Sequence, residues 1–417
     1  MKKILFLAAS YPETRQSASI LCTHRVMECV SGSGRYDVHV LAMRYNNERA
    51  SDMINGITVH RFWPLPWKRI RNRVDALGLY SRPARVMEVV QKALTIPSYP
   101  QKEPFTERRF FCKAKALHRK IGFDLIVSEY HGLETLMAGC KMNRLYPGLK
   151  HLAILWDPVK GQIATSYLPK SFTDKRIDRV ERFVADYTTL QISTASMRSY
   201  HTQNGDVAQN RRIYLDIPSI SAPEPEVRTG YLSLFREGWI NIVYSGLLSP
   251  AQRDPVPFIN LLNQCRGAER INLLFFSMGA DEELKKAEES FRGSIVRHGY
   301  IPLNELHTLY MHADYLLNVS HINANMVPSK IFEYMSYGKP VISTYVSDND
   351  SAKNYLSGYP EALCLDLKKP EADNVAALDA FFAAGHAHVP FQDVKMLFAE
   401  NTPETYLASI DKLLSDN

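Results

Sequence analysis

A lysine and a glutamate three residues apart, Lys330 and Glu333, follow a short apolar strand predicted at 315–320. Pro328 suits the first position of a helix and Gly338 its left-handed end, so a short helix is predicted with both charges near its start. A helix that begins just after the carboxyl end of a strand lies where open α/β sheets bind ligands, and its amino end suits phosphate. The pattern indicates a diphosphate on Lys330 and ribose hydroxyls on Glu333. An ordinary βαβ unit with two surface charges is the alternative.

The stretch 327–343 resembles the donor-site signature of the family-4 glycosyltransferases, which are retaining enzymes with the GT-B fold. In that family a glutamate at the position of Glu333 binds the ribose of the donor, and Ser329 lies within the same stretch. The family usually has another glutamate eight residues earlier, where this sequence has Asn325. The resemblance therefore assigns Glu333, Ser329 and Asn325 to donor binding. The change at Asn325 leaves open how the transferred sugar is held.

A second group of donor-site residues follows the first predicted strand of the second half. That strand ends at Gly246, after which the family often has an arginine, and a lysine seven residues past the glycine; both bind the diphosphate. Here Leu247 occupies the arginine position and Arg253 the lysine position. Arginine can bind phosphate through two parallel hydrogen bonds, so Arg253 and Lys330 are predicted to stabilise the departing diphosphate. The segment from Tyr300 resembles the one that frames the nucleobase.

The first half offers weaker candidates at the ends of its predicted strands. The loop at 11–19 contains small residues such as Ser17, where the family often has a pair of glycines. His131 is the nearest match to a histidine of the family that faces the cleft, with Glu129 at the strict position. Asp157 follows another strand, where the family tends to show His-Asp. The resemblance implies a catalytic His131 and an acceptor side with Ser17 and Asp157; for His131, a surface or core histidine is the alternative.

Length and composition are those of a globular protein with two domains. The chain has 417 residues, of which 45% are hydrophobic and 23% charged. Six scattered cysteines contain no C-x-x-C pair, which argues against a disulfide framework or a zinc site and fits a reducing cytosol. The D-x-D string at 348–350 is interpreted as a solvated loop, so no metal and no cofactor other than the donor is expected. No apolar run approaches the roughly 20 residues of a membrane-spanning helix.

Positive charge is concentrated between residues 67 and 121, which contain fourteen lysines and arginines but only four acidic residues. Such a segment is either a solvated helical face or a surface for anionic lipid headgroups, since each basic residue near a membrane contributes about 1 kcal/mol. No nucleic-acid-binding motif accompanies it, so nucleic acid is not expected as a partner.

These observations predict an α/β protein with two Rossmann-like domains facing a cleft, the GT-B architecture. The acceptor domain spans 1–220, with a last helix at 403–417 crossing back onto it, and the nucleotide-sugar domain spans 231–400. The resemblance implies transfer, with retention, from a UDP- or GDP-linked sugar to a saccharide or lipid-linked acceptor. The expected setting is bacterial surface polysaccharide biosynthesis (lipopolysaccharide, capsule or exopolysaccharide), in the cytoplasm or on the inner face of the cytoplasmic membrane.

Two alternatives stay open at this stage. The absent glycine pair, Asn325 and Leu247 fit a catalytically degenerate GT-B protein that binds a nucleotide-sugar or a partner glycosyltransferase. A nucleotide-sugar epimerase of the same architecture would need no acceptor.

Overall fold

The computed structural model divides the chain into two compact units. The first comprises residues 1–218 with 403–417, and the second comprises residues 219–402. The bounds predicted from the sequence were 1–220 with 403–417, and 231–400. The structure describes residues 1–11, 18–44, 48–65, 95–130, 132–159, 168–322 and 327–415.

The first unit is built on an eight-stranded sheet, as counted in the described part of the chain. The order is β3-β4-β2-β1-β5-β6-β7-β8, and every neighbouring pair is parallel except β3 and β4. Central strands of such sheets are covered on both faces, which explains the unbroken apolar runs in β1 and β5. The strands are β1 (Lys2–Ser10), β2 (Tyr36–Met43), β3 (Ser51–Ile54), β4 (Ile57–Phe62), β5 (Leu125–Tyr130), β6 (Lys150–Leu155), β7 (Leu190–Thr194) and β8 (Arg212–Leu215).

Helices cover both faces of this sheet. The first unit contains α1 (Ala18–Gly32), α2 (Pro104–Ile121), α3 (Leu133–Leu145), α4 (Lys170–Asp186), α5 (Arg198–Asn204) and, from the end of the chain, α13 (Pro403–Ser415). One core lies between α1, α13 and the sheet, and Val26 and Ile410 are completely buried in it. On the other face, α2 and α3 enclose a second core around Phe110.

The last helix, α13, belongs to the first unit. Tyr406, Leu407, Ile410 and Leu414 recur at helical spacing and bury one face in the core beside α1. The hydroxyl of Tyr36 donates a hydrogen bond to Asp411 over 2.6 Å, and that of Tyr406 donates to the carbonyl of Asp216 over 3.0 Å. This packing agrees with the expected return of the chain to the first domain.

The second unit contains a six-stranded sheet in which all neighbouring strands are parallel. Its order is β11-β10-β9-β12-β13-β14. The strands are β9 (Ile240–Leu247), β10 (Ile271–Met278), β11 (Ser294–His298), β12 (Tyr315–Val319), β13 (Val341–Tyr345) and β14 (Ala362–Asp366). The helices are α6 (Val256–Gln264), α7 (Asp281–Ser290), α8 (Leu303–His312), α9 (Lys330–Ser336), α10 (Ser351–Leu356), α11 (Glu371–Ala383) and α12 (Phe391–Leu397).

The order of strands in the second unit creates a switch point. From β9 the chain adds β10 and β11 on one side, and it then crosses to place β12 on the other side of β9. The chain consequently leaves the adjacent strands β9 and β12 in opposite directions at the carboxyl edge of the sheet, which is the position where open α/β sheets bind ligands. The sheets of the two units agree with the predicted pair of Rossmann-like domains.

The basic segment falls only partly within the described residues, because 66–94 lie outside them. Its remaining part includes α2, whose last turn carries His118, Arg119 and Lys120 at the end that favours positive charge. Searched over the described ranges, the structure has no helix that combines the length and apolar character needed to span a membrane.

Candidate functional site

The predicted donor residues meet at the switch point of the second unit. The loop after β9 is held to the loop after β12 by a hydrogen bond of 2.8 Å from the amide of Ile322 to the carbonyl of Gln252. Within the first loop, the amide of Arg253 donates to the carbonyl of Ser249 over 2.6 Å and closes a tight turn. These bonds fix the position from which the Arg253 side chain leaves the backbone.

Lys330 is the first residue of α9 and points across the end of β9. Its Nζ atom donates to the hydroxyl of Tyr310 over 3.2 Å and lies 3.8 Å from Oε2 of Glu333. At Gly246, where φ is +129°, an added β-carbon would lie 3.6 Å from Cε of Lys330. Only glycine adopts this backbone conformation readily, so Gly246 lets the strand end approach the lysine stem without strain.

Glu333 lies one turn after Lys330 and is buried, with its carboxylate between two nitrogen-bearing side chains. Its Oε2 atom faces Lys330, and its Oε1 atom lies 3.6 Å from Nε2 of His307 on α8. A buried carboxylate is costly unless charges or hydrogen bonds compensate it, and these two neighbours supply that compensation when protonated. A carboxylate accepts hydrogen bonds through both oxygens, which is the chemistry that ribose hydroxyls require.

Two tyrosines and a serine form a hydrogen-bond network beside Lys330. The Ser245 hydroxyl lies 2.5 Å from the hydroxyl of Tyr310 and 3.3 Å from that of Tyr334. Burial raises the pKa of Tyr310 well above its usual value, with the nearby Glu333 carboxylate adding to the shift, and burial also raises the pKa of Tyr334. Both hydroxyls therefore stay protonated, and the network holds Lys330 in place as a neutral scaffold.

Arg253 completes the positive side of the site. Its Nε atom is buried and makes no hydrogen bond within the described part of the chain. Burial raises the pKa of Tyr244, whereas the positive charges of Arg253 and Lys330 lower it, so all three side chains share one electrostatic environment. Tyr300 also acts on Tyr244, although its own side chain is mostly exposed. The site thus presents two cations and an exposed aromatic ring beside the glycine turn.

The helix that carries Lys330 and Glu333 differs in one respect from expectation. The prediction put Pro328 at its first position, but α9 begins at Lys330 and contains only seven residues. Ser329 precedes it and makes no capping hydrogen bond with its side chain. The electrostatic contribution of so short a helix is small, so the side-chain cations are the main positive charges. At the other end Gly338 has a φ of +62°, which confirms the predicted left-handed turn.

Of the site residues predicted in the first unit, few lie within the described part of the chain. Ser17 and His131 lie outside the described residues, as does Asn325 in the second unit. Asp157 follows β6 with an exposed side chain. Glu129, which stands at the family's strict histidine position, is instead fully buried near the carboxyl end of β5.

Glu129 lacks the partners that Glu333 has. Neither of its carboxyl oxygens has a hydrogen-bond partner among the described residues. The Thr23 hydroxyl is nearby, but it donates to the carbonyl of Ser19 over 3.0 Å and accepts from Trp156 over 3.2 Å. Burial raises the pKa of Glu129 from 4.5 to about 8, so the carboxyl is neutral at pH 7.

Several residues of the site were not anticipated from the sequence. The packing of β9, α8 and α9 brings Ser245 to the hydroxyls of Tyr310 and Tyr334. The same packing brings His307 to Glu333. Tyr310 and His307 are three residues apart and share a helix face, and this spacing was the feature of the sequence that could have predicted their proximity. Across the described ranges, no cluster of three or more His, Cys, Asp or Glu side chains could hold a metal. Asp350 of the D-x-D string caps α10 by accepting from the amide of Lys353.

Residues 240–369 match the family model described as glycosyl transferases, group 1. The match covers the six strands of the second sheet and every donor-site residue discussed above, and it spans less than half of the chain. No curated protein matches the sequence.

Solved structures resemble the chain over its whole length. Sucrose-phosphate synthase from Thermosynechococcus elongatus has a TM-score of 0.64 at 14% identity, covering 99% of this chain and 98% of that one. Anabaena HepE in complex with UDP and glucose gives 0.60 at 14% identity, with complete coverage of both chains. The UDP-forming α,α-trehalose-phosphate synthase from Burkholderia xenovorans, in complex with glucose-6-phosphate, gives 0.62 at 12% identity, again with complete coverage. The family match and these similarities confirm the predicted resemblance to GT-B glycosyltransferases and the predicted fold class.

Proposed function

We propose that this protein transfers a sugar from a UDP- or GDP-linked donor, which its second unit binds, to an acceptor bound by the first unit. The observation that carries the proposal is the convergence of Arg253, Lys330 and Glu333 at the switch point of the second sheet. Arg253 comes from the loop after β9, whereas Lys330 and Glu333 come from α9, and all three lie within the range that matches glycosyl transferases, group 1. Two of the structural neighbours were solved with UDP or with a sugar phosphate, which supports a nucleotide-sugar donor.

The charges of the site suit the departure of a nucleoside diphosphate. When the bond between the sugar and the diphosphate breaks, negative charge grows on the phosphate oxygens. Lys330 and Arg253 are already fixed beside the glycine turn, so they stabilise that charge with little reorganisation. Glu333 binds the ribose hydroxyls and orients the donor. We assign no protein nucleophile, and we propose that the transfer retains the anomeric configuration.

We further propose that the acceptor is a saccharide or a lipid-linked saccharide in the assembly of bacterial surface polysaccharide. The basic segment at 67–121 supports an acceptor at an anionic membrane surface on the cytoplasmic side, because charge of this density attracts acidic lipids. Vesicles that contain anionic phospholipid should bind the protein at low salt. Neutralising Lys68, Arg69, Arg71 and Arg73 should weaken that binding, whereas the absence of binding at low salt would leave only a solvated face.

A panel of nucleotide-sugars tests the donor assignment and separates it from the alternatives. A ligand present at 100 times its dissociation constant adds about 2.7 kcal/mol of stability, which thermal unfolding detects readily. Stabilisation together with hydrolysis or transfer supports the glycosyltransferase, and the configuration of the product tests retention. Stabilisation without turnover would indicate a degenerate binding protein, and an isomerised donor an epimerase. If no nucleotide-sugar or nucleoside diphosphate stabilises the chain, the proposed function is wrong.

A further inference from the structure

His307 lies in the donor site, yet the roles assigned so far leave its ring unused. The residue is on α8, its side chain is more than nine-tenths buried, and neither ring nitrogen makes a hydrogen bond to the residues that the structure describes. Burying an unpaired polar nitrogen is unfavourable, so a phenylalanine would fill the same space at lower cost. An imidazole buried in the donor site is therefore expected to have a hydrogen-bonding partner.

The nearest candidate partner is the carboxylate of Glu333. The distance from Nε2 of His307 to Oε1 of Glu333 is 3.6 Å, and a shift of about half an ångström would bring the two atoms into hydrogen-bonding range. The ring is held from its sides by Tyr310 and Tyr337, whose ring centroids lie 5.8 and 5.5 Å away. Lys330 is near the other carboxylate oxygen, with Nζ at 3.8 Å from Oε2.

We propose that His307 is a positioning residue, which acts through Glu333 on the ribose of the donor. Its Nε2–H occupies one lone pair of Oε1 while Lys330 occupies one of Oε2. The two groups approach the carboxylate at its two oxygens and hold it in one orientation, in which it accepts hydrogen bonds from the vicinal hydroxyls of a ribose. This inference rests on the proposed donor role of Glu333 and adds the group that orients it.

Nucleotides with and without ribose hydroxyls test the proposal directly. The dissociation constants of UDP, GDP and their 2′,3′-dideoxy analogues are measured by calorimetry on the full chain. Hydrogen bonds to a charged group contribute about 1.5–3 kcal/mol, so the wild-type protein should prefer the ribonucleotide about ten- to a hundredfold. A residue that acts only through Glu333 affects the ribonucleotide and leaves the dideoxy analogue unchanged, whereas a structural role affects both.

Three variants of His307 separate a positioning role from a packing role. His307→Phe keeps the contacts with Tyr310 and Tyr337 but removes both nitrogens, and it should reduce the ribonucleotide preference to about threefold or less. His307→Gln places an amide N–H near the position of Nε2 and should retain most of the preference. His307→Asn places its amide near Nδ1 and should behave like His307→Phe, which provides a second test if the phenylalanine variant folds poorly.

His386→Phe is the matched control. His386 pairs with Glu361 over 2.6 Å in the same unit but is not among the contacts of the donor site. Its removal should leave the preference for ribonucleotides at the wild-type value, with folding of each variant checked by thermal unfolding.

Each outcome bears on a different claim. Loss of preference in His307→Phe and His307→Asn, recovery in His307→Gln and unchanged dideoxy affinity support the proposal. An unchanged preference in the first two, or an equal loss for both nucleotides, would overturn it and leave the donor site standing. A wild-type protein that binds none of these nucleotides, or binds both forms equally, would overturn the donor role of Glu333 and this inference with it.

Discussion

Two buried glutamates show how differently the two units use a carboxyl group near the ligand edge of a parallel sheet. Glu129 lies in the completely buried strand β5 and has no hydrogen-bond partner among the described residues, and burial raises its pKa to about 8. Glu333 is almost as deeply buried, but it lies within 4 Å of the nitrogens of Lys330 and His307. Burial alone favours the neutral form of a carboxyl, whereas nearby nitrogen donors compensate for its burial and orient it as an acceptor for hydroxyls. The second arrangement is the one expected of a binding site.

The largest expected effect comes from removing the cations of the second unit. The double variant Lys330→Ala, Arg253→Ala should lower turnover by about a hundredfold or more, because it removes stabilisation of charge that grows in the transition state. The apparent Michaelis constant for the donor should change less than the turnover number. The control is Lys353→Ala, Arg297→Ala, which removes two cations that pair with Asp348 and Glu288 elsewhere in the unit. Near wild-type turnover in the first double variant would refute the site.

The neutral carboxyl of the first unit predicts a pH effect on stability. The folded protein keeps a proton on Glu129 up to about pH 8, whereas an ordinary carboxyl loses it near 4.5. The stabilisation from this proton is complete below pH 4.5 and is lost as the pH rises through 8, with a magnitude of about 5 kcal/mol. Glu129→Gln should therefore gain stability relative to the wild type between pH 5 and 8 in urea unfolding. A constant difference across that range would show that Glu129 is ionised in the folded chain.

The buried carboxyl of the second unit, Glu333, is expected to affect donor binding. Glu333→Gln should weaken donor binding about ten- to a hundredfold, since a neutral amide accepts hydroxyl hydrogen bonds less strongly than a carboxylate. Titration calorimetry with the donor identified in the panel measures the change. Glu361→Gln, at the carboxylate that pairs with His386, is the matched control and should bind normally. Equal affinity of Glu333→Gln and wild type would remove Glu333 from the site.

The smallest effect is expected at Asn325, which occupies the position of the family's second glutamate. An uncharged side chain contributes little to holding a sugar compared with a carboxylate, so Asn325→Ala should lower turnover less than either Lys330→Ala or Arg253→Ala alone. Steady-state kinetics at saturating donor provides the comparison. A larger loss at Asn325 than at either cation would give this residue a central role.

The local patterns of the chain were sufficient to predict most of the central elements. Strand β12 is an apolar run followed by a turn, and the structure places it within one residue of the predicted range 315–320. The short edge strands β3 and β8 are not predictable in this way, because a four-residue strand with half-exposed side chains has too little apolar periodicity. The interpretation of 348–350 as a loop was correct for a local reason, since Asp350 caps the helix that follows it.

The sequence by itself determined which residues of the second unit carry charge at helical spacing, and it determined the glycine turns beside them. Lys330 and Glu333 are neighbours because three residues make nearly one turn of a helix, and Gly338 ends that helix because a left-handed residue is needed there. The family resemblance placed Arg253 with them, whereas only the tertiary structure decided that His307 joins the site, because packing brings its ring on α8 to Glu333 on α9. The neutral state of Glu129 was likewise decided by burial, which depends on residues far away in the chain.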